Sequence, residues 1–130
     1  MELILDTNFI ITVEREGNRN LRGAADKFLE AHREDTFLTT FTVTGELACG
    51  RSVSQEARWA RLFERYKVLP WTLEISWRYA ELYRHLAKAG TMIGANDLWI
   101  AATALVHGAP LVTNNTGQFS RIPGLTVVAF

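Results

Sequence analysis

Three carboxylates in this chain stand where α/β proteins place chemistry. Asp6 closes the apolar run Leu3-Ile4-Leu5, Glu46 follows a threonine-rich approach from Thr36 to Thr44, and Asp97 sits in Gly94-Ala95-Asn96-Asp97-Leu98-Trp99-Ile100-Ala101. None has a basic residue beside it in sequence. Carboxylates gathered without a cation raise one another's pKa. A Mg²⁺ or Mn²⁺ ion removes that penalty and prefers oxygen ligands. Each acid alone has a plainer explanation. Asp6 could cap the helix that follows it, Asp97 could answer a helix dipole, and Glu46 could be a surface helix residue. Metal chemistry becomes the leading idea only if the fold brings the three together.

The elements that must do so can be read in outline. Leu3-Ile4-Leu5 reads as a buried strand. A helix is expected over Asn8–Glu16 with Phe9, Ile10 and Val13 inward, and a second over about Asn20–Arg33 with Leu21, Ala25, Phe28 and Leu29 on one side. Thr36–Thr39 is β-rich and leads to Thr40, a fair N-cap, for a helix carrying Val43, Glu46 and Leu47. Ser52 and Gln55 suggest a capping box before a helix with Trp59, Leu62, Phe63 and Tyr66. Lys67-Val68-Leu69 is a third strand. Ile75, Tyr79, Leu82 and Leu86 form one apolar stripe in a long helix over Leu73–Ala89 that Gly90 stops. Asn96 is expected to cap the next helix, which packs through Ile100, Ala101, Ala104 and Leu105 and ends at Gly108. Pro110–Thr113 and Leu125–Val128 are the last two strands.

Strands alternating with helices predict a parallel sheet covered on both faces. In such a unit the strand C-termini and the helix N-termini share one edge, where ligands bind. Asp6, Glu46, Asp97 and the Thr113-Asn114-Asn115 segment all fall on that edge.

Composition narrows the field further. A chain of 130 residues fits one domain, here residues 1–130, and buries roughly two-thirds of its unfolded surface without disulfides. With one cysteine, Cys49, no intrachain disulfide forms, which suits a cytoplasmic location. No secretory signal or membrane-spanning run is evident, so no membrane role is expected. The 14 basic and 14 acidic side chains cancel, which argues against strong sequence-independent RNA affinity. Arg51, Arg58, Arg61, Arg65 and Lys67 cluster, as do Arg78, Arg84, His85 and Lys88; each group reads as a solvated helix face or as a phosphate-contacting rim.

Four segments together carry a resemblance: Leu5-Asp6-Thr7-Asn8, Glu46-Leu47, Asn96-Asp97-Leu98-Trp99-Ile100-Ala101-Ala102, and Leu111 through Phe119. In this order and spacing the chain resembles a PIN-domain ribonuclease, in particular the VapC-type toxin of a VapBC toxin–antitoxin pair. The resemblance implies an α/β/α sandwich with a central five-stranded parallel sheet and Mg²⁺- or Mn²⁺-dependent endonucleolytic cleavage of RNA. It implies that Asp6, Glu46 and Asp97 are the acidic triad, with Asp6 and Asp97 holding the ion. Glu46 would ligate it through water or take a proton from the attacking water. It also implies a homodimer and a cognate VapB-type antitoxin. The family often has a fourth acid after strand four. Here Asn115 and Gln118 stand at those positions, which predicts an amide-lined fourth side and one tight metal. Asn115 and Thr113 are expected to position the metal's waters.

Two other readings follow from the same residues. Without a fourth acid the chain could be a catalytically degenerate PIN-fold module that binds RNA or protein. Asp6-Thr7-Asn8 also resembles the nucleophile loop of haloacid-dehalogenase-type phosphatases, but Asn8 stands where their second acid is needed. His32, His85 and His107 lack zinc-ligand spacing. Cys49 is expected to be buried, and some of Trp59, Trp71, Trp77 and Trp99 to be interfacial.

Overall fold

A computed structural model describes residues 1–50 and 55–130. Five parallel strands form one sheet: β1 (Glu2–Leu5), β2 (Thr36–Thr40), β3 (Lys67–Leu69), β4 (Leu111–Val112) and β5 (Val127–Val128), in spatial order β3-β2-β1-β4-β5. Helices α1 (Thr7–Asn18), α2 (Ala24–Ala31), α3 (Phe41–Ala48), α4 (Glu56–Arg61), α5 (Leu73–Ala89), α6 (Ala95–His107) and α7 (Thr116–Phe119) complete the expected three-layer α/β/α sandwich. A 3₁₀ turn over Leu62–Arg65 follows α4 directly.

The central strand explains the sequence of its neighbours. β1 has a partner on each side, so Leu3, Ile4 and Leu5 are all buried rather than alternating, as a parallel strand covered on both faces requires. On α6 the side chains of Ala101, Ala102 and Ala104 are fully buried, and their small size lets the helix lie close to its neighbours. On α5 the stripe of Ile75, Leu82 and Leu86 is buried and Tyr79 packs against the core. Burial of each such aliphatic side chain contributes about 1.5–3 kcal/mol. Gly90 and Gly108 end α5 and α6 in the left-handed conformation, with φ of 69° and 63°, which an L side chain would resist.

Three local expectations are corrected. The second helix begins at Ala24, not Asn20, and Leu21 is exposed. Its first turn is satisfied from outside: the Glu16 carboxylate accepts from the backbone N–H groups of Ala25 (3.3 Å) and Asp26 (2.9 Å). Glu16 is therefore buried at the end of α1, and Gly23 leaves room for it, since a Cβ there would lie 2.3 Å from a Glu16 oxygen. Removing a charged cap costs about 1–2 kcal/mol, so Glu16→Ala should lower the urea midpoint accordingly, and an unchanged midpoint would disprove the capping role.

Second, Gly94 rather than Asn96 precedes α6, with no side-chain cap bond. Third, Cys49 is exposed; it stands just past the last turn of α3, where the chain leaves the core. Of the expected capping box, Ser52 lies outside the described residues, and Gln55 itself precedes α4 with no side-chain cap bond. The Thr40 cap holds as expected, its hydroxyl accepting from Val43 N–H at 3.3 Å.

Candidate active site

Asp6 stands one residue past the central strand, at the N-cap of α1. Only 4% of it is exposed. Its Oδ1 accepts the N–H of Thr7 at 2.7 Å, and its Oδ2 accepts the hydroxyl of Thr113 at 2.7 Å. Burial pushes its pKa above the ordinary carboxylate value, while the two hydrogen bonds pull the other way; burial prevails because charge loses more solvation than two neutral donors return. Thr113 follows β4, so the contact joins neighbouring strand ends.

Glu46 lies one turn into α3, which starts where β2 ends, and is half-buried. Its Oε1 accepts the Thr7 hydroxyl at 2.9 Å. Thr7 therefore ties two acids together, its amide to Asp6 and its hydroxyl to Glu46. The sequence reading missed this role. The signal was present, a hydroxyl residue directly after Asp6 at the first position of a helix.

Asp97 is in the first turn of α6 and is half-buried. Its pKa is pushed up to about 6 by burial first and then by the negative charges of Asp6 and Glu46. The two distant acids are thus near enough to act on the third. None of the three forms an ion pair among the described residues.

The fourth side is made of amides. The Asn115 N–H donates to the Thr113 hydroxyl at 3.0 Å, and its side-chain Nδ2 donates to Gln118 Oε1 at 3.1 Å. A continuous chain, Asn115 to Thr113 to Asp6, connects the loop to the buried acid. Asn114 turns away and accepts the backbone N–H of Phe130 at 2.8 Å.

The donor set suits a hard divalent cation. It consists of oxygen ligands carrying surplus negative charge, and among the described residues no Lys or Arg pairs with them. Among the described residues no three His, Cys, Asp or Glu side chains stand together in a metal-holding group, so the acids share one edge without forming a ready ligand cage. Asp6 is held by two donors and Glu46 by one, so an ion bound through them would keep several of its waters.

Other features lie apart from this edge. A cleft of about 260 Å³ between α1 and α3, with Ile11, Arg15, Leu47 and Leu62 on its walls, contains none of the acids. Arg58, Arg61 and Arg65 line a surface hollow with Glu14 and Glu64; Arg51 lies outside the described residues. On α5, Arg78 pairs with Glu81 at 3.5 Å and Arg84 lies 5.3 Å from the centre of the Trp77 ring. His32 stacks on Phe28 and meets Asp35. Trp71 and Trp77 are exposed, whereas Trp59 and Trp99 pack against the core.

A parallel sheet in this order, with acids on its carboxyl edge, agrees with what comparison finds: the chain belongs to the PIN domain family, whose profile matches residues 3–125. Its relatives are narrower in kind. Ribonuclease VapC1 of Rickettsia felis is 30% identical over 98% of this chain and 96% of its own length. A ribonuclease VapC1 of Haemophilus influenzae is 33% identical over 96% and 95%. Among solved structures, VapBC2 from Rickettsia felis bound to a DNA fragment from their promoter aligns with a TM-score of 0.83 and 29% identity, covering 100% of this chain and 99% of that one. VapBC-1 from nontypeable Haemophilus influenzae aligns with a TM-score of 0.82 and 32% identity, covering 99% and 98%.

Proposed function

We propose that this chain, as a single domain over residues 1–130, is a divalent-metal-dependent endoribonuclease and the toxin of a toxin–antitoxin pair. The observation that carries the reading is the electrostatic one. Asp6 and Glu46 both raise Asp97, no basic side chain neutralises them among the described residues, and the frame is that of VapC ribonucleases.

Asp6 and Asp97 are the residues that would hold Mg²⁺ or Mn²⁺. The bound ion would supply Lewis acidity, activating water and neutralising charge on the pentacoordinate phosphorus. Glu46 keeps Oε2 free while Thr7 fixes Oε1, so it is oriented to take a proton from the attacking water. Thr113 holds Asp6 in place and helps keep it ionised despite burial. Asn115 and Gln118 present amide groups that can bind water but add no charge, which supports one tight metal.

The solved relatives are toxin–antitoxin complexes, and that supports a cognate VapB-type antitoxin and a homodimer for this chain. No described helix is long and apolar enough to cross a membrane, which accords with action on cytoplasmic RNA. A zero net charge argues against strong sequence-independent RNA affinity.

The amides at Asn115 and Gln118 also favour a second reading, a degenerate module that binds RNA or protein without cutting. One experiment separates the two. Purified protein incubated with cellular RNA should cut it in millimolar Mg²⁺ or Mn²⁺, stop in EDTA, and resume when metal is restored. Binding of RNA with no cleavage under either ion would establish the module instead.

A further inference from the structure

Beside Glu46 lies a hollow that the hydrolytic mechanism does not use. It has a volume of about 350 Å³ and is lined by Phe41, Thr42, Gly45 and Glu46 of α3 and by Asn96 and Trp99 of α6. The two helices that carry acids thus also build its walls. Its chemistry differs from that of the acid cluster. Phe41 and Trp99 face each other edge to face, with ring centres 6.1 Å apart and planes at 67°. Behind Trp99, Tyr79 stacks at 4.0 Å with planes 25° apart, so the indole is held in one orientation. Tyr83 continues the stack from Tyr79 at 6.5 Å. Asn96 and Thr42 line it as well. Asn96 is exposed and offers both a donor and an acceptor. Thr42 carries the one buried side-chain oxygen or nitrogen without a hydrogen-bond partner among the described residues.

We infer that this hollow is a nucleobase subsite: an unpaired base of the RNA, one step from the phosphate held at the acids, lies against Trp99 and Phe41 and is read on its edge by Asn96. The inference rests on the RNA-cleaving reading above and names where its selectivity resides. Single-stranded RNA is recognised by stacking of splayed bases on aromatic side chains, with hydrogen bonds to their edges supplying preference. Charge does not compete with this role, because the whole chain is neutral and weak backbone attraction leaves base contacts to decide affinity. The hollow is open beside Gly45, where a Cβ would meet nothing within 4 Å.

The test compares two probes on the full chain carrying Asp6→Asn, which leaves RNA uncut. One is random-sequence RNA about ten nucleotides long and the other an abasic ribose-phosphate oligomer of the same length. Stacking of one base is worth roughly tenfold in affinity, so the base-containing probe should bind at least about that much tighter. Adding Phe41→Leu or Trp99→Leu should bring the ratio toward one while leaving abasic binding unchanged. Asn96→Ala, at an exposed position remote from the core, should alter which bases are preferred and keeps the test decisive if an aromatic variant unfolds. An unchanged ratio in folded variants overturns the subsite. So does an unchanged ratio combined with a shift from dimer to monomer in sedimentation, which would mean that a second copy covers the hollow. Cleavage by the unmodified chain is scored separately. Base-dependent binding without cleavage sinks the nuclease reading alone, and cleavage with base-independent binding sinks the subsite alone.

Discussion

Asp6→Asn should leave a folded protein whose RNA cleavage falls on the order of 10³-fold or more. Asparagine has nearly the same shape, and its carbonyl can still accept the Thr7 N–H that now caps α1 at 2.7 Å. The other half of the side chain changes from acceptor to donor. Thr113 can adapt, because its hydroxyl both donates and accepts, so the contact between the β1 and β4 ends survives with its direction reversed. The charge does not survive. A loss of about 4 kcal/mol in transition-state stabilisation corresponds to the expected factor. The assay is cleavage of a labelled RNA in Mg²⁺ or Mn²⁺ alongside a urea melt. Full activity in a folded variant would remove Asp6 from the metal site.

The second large effect has two signs. Asp97→Asn should also abolish cleavage, yet stabilise the metal-free protein. In the fold Asp97 titrates near 6 rather than 3.8. Between these values the folded chain holds a proton that the unfolded chain has released, so stability falls as pH rises through about 4 to 6 and stays reduced above it. The half-exposed position of Asp97 means solvent screens much of this, leaving about 1 kcal/mol. Asparagine escapes the penalty. In EDTA at pH 7.5 its melting temperature should exceed that of the unmodified chain by about 3–5 °C, and the gain should vanish near pH 4. Added Mg²⁺ should raise the melting temperature of the unmodified chain but not of the variant. A variant less stable than the parent in EDTA would show that Asp97 is a structural cap and not a strained ligand.

The sheet, its strand sequence and the convergence of Asp6, Glu46 and Asp97 were legible because they follow from period and topology. Leu3-Ile4-Leu5 is apolar without alternation, and Ile75 to Leu86 repeats at helical spacing; both patterns reflect burial, which acts on many residues at once. What was not legible depends on single atoms meeting across the chain. Asn96 is a good cap by type, yet the turn places Gly94 at that position, and the backbone there needs no side chain. Leu21 reads as core by its spacing, but the carboxylate of Glu16 already caps α2 and fixes where it begins. Thr7 reads as a spacer until the fold shows Glu46 39 residues away accepting its hydroxyl. Cys49 is apolar by habit but stands just past α3, outside the packed face.

The bond between Thr113 and Asp6 joins residues 107 positions apart, and that separation has a meaning in time. A ribosome adds roughly 5–20 residues each second, so Asp6 is made about 5–20 s before the hydroxyl that steadies it. Asp97 also arrives late, on a helix that packs against α5 and α3. An unfinished chain thus carries the first of the three acids without the hydroxyl that steadies it. Translation itself delays the hazard, and a partner already present in the cell has that interval in which to meet the chain before it can cut.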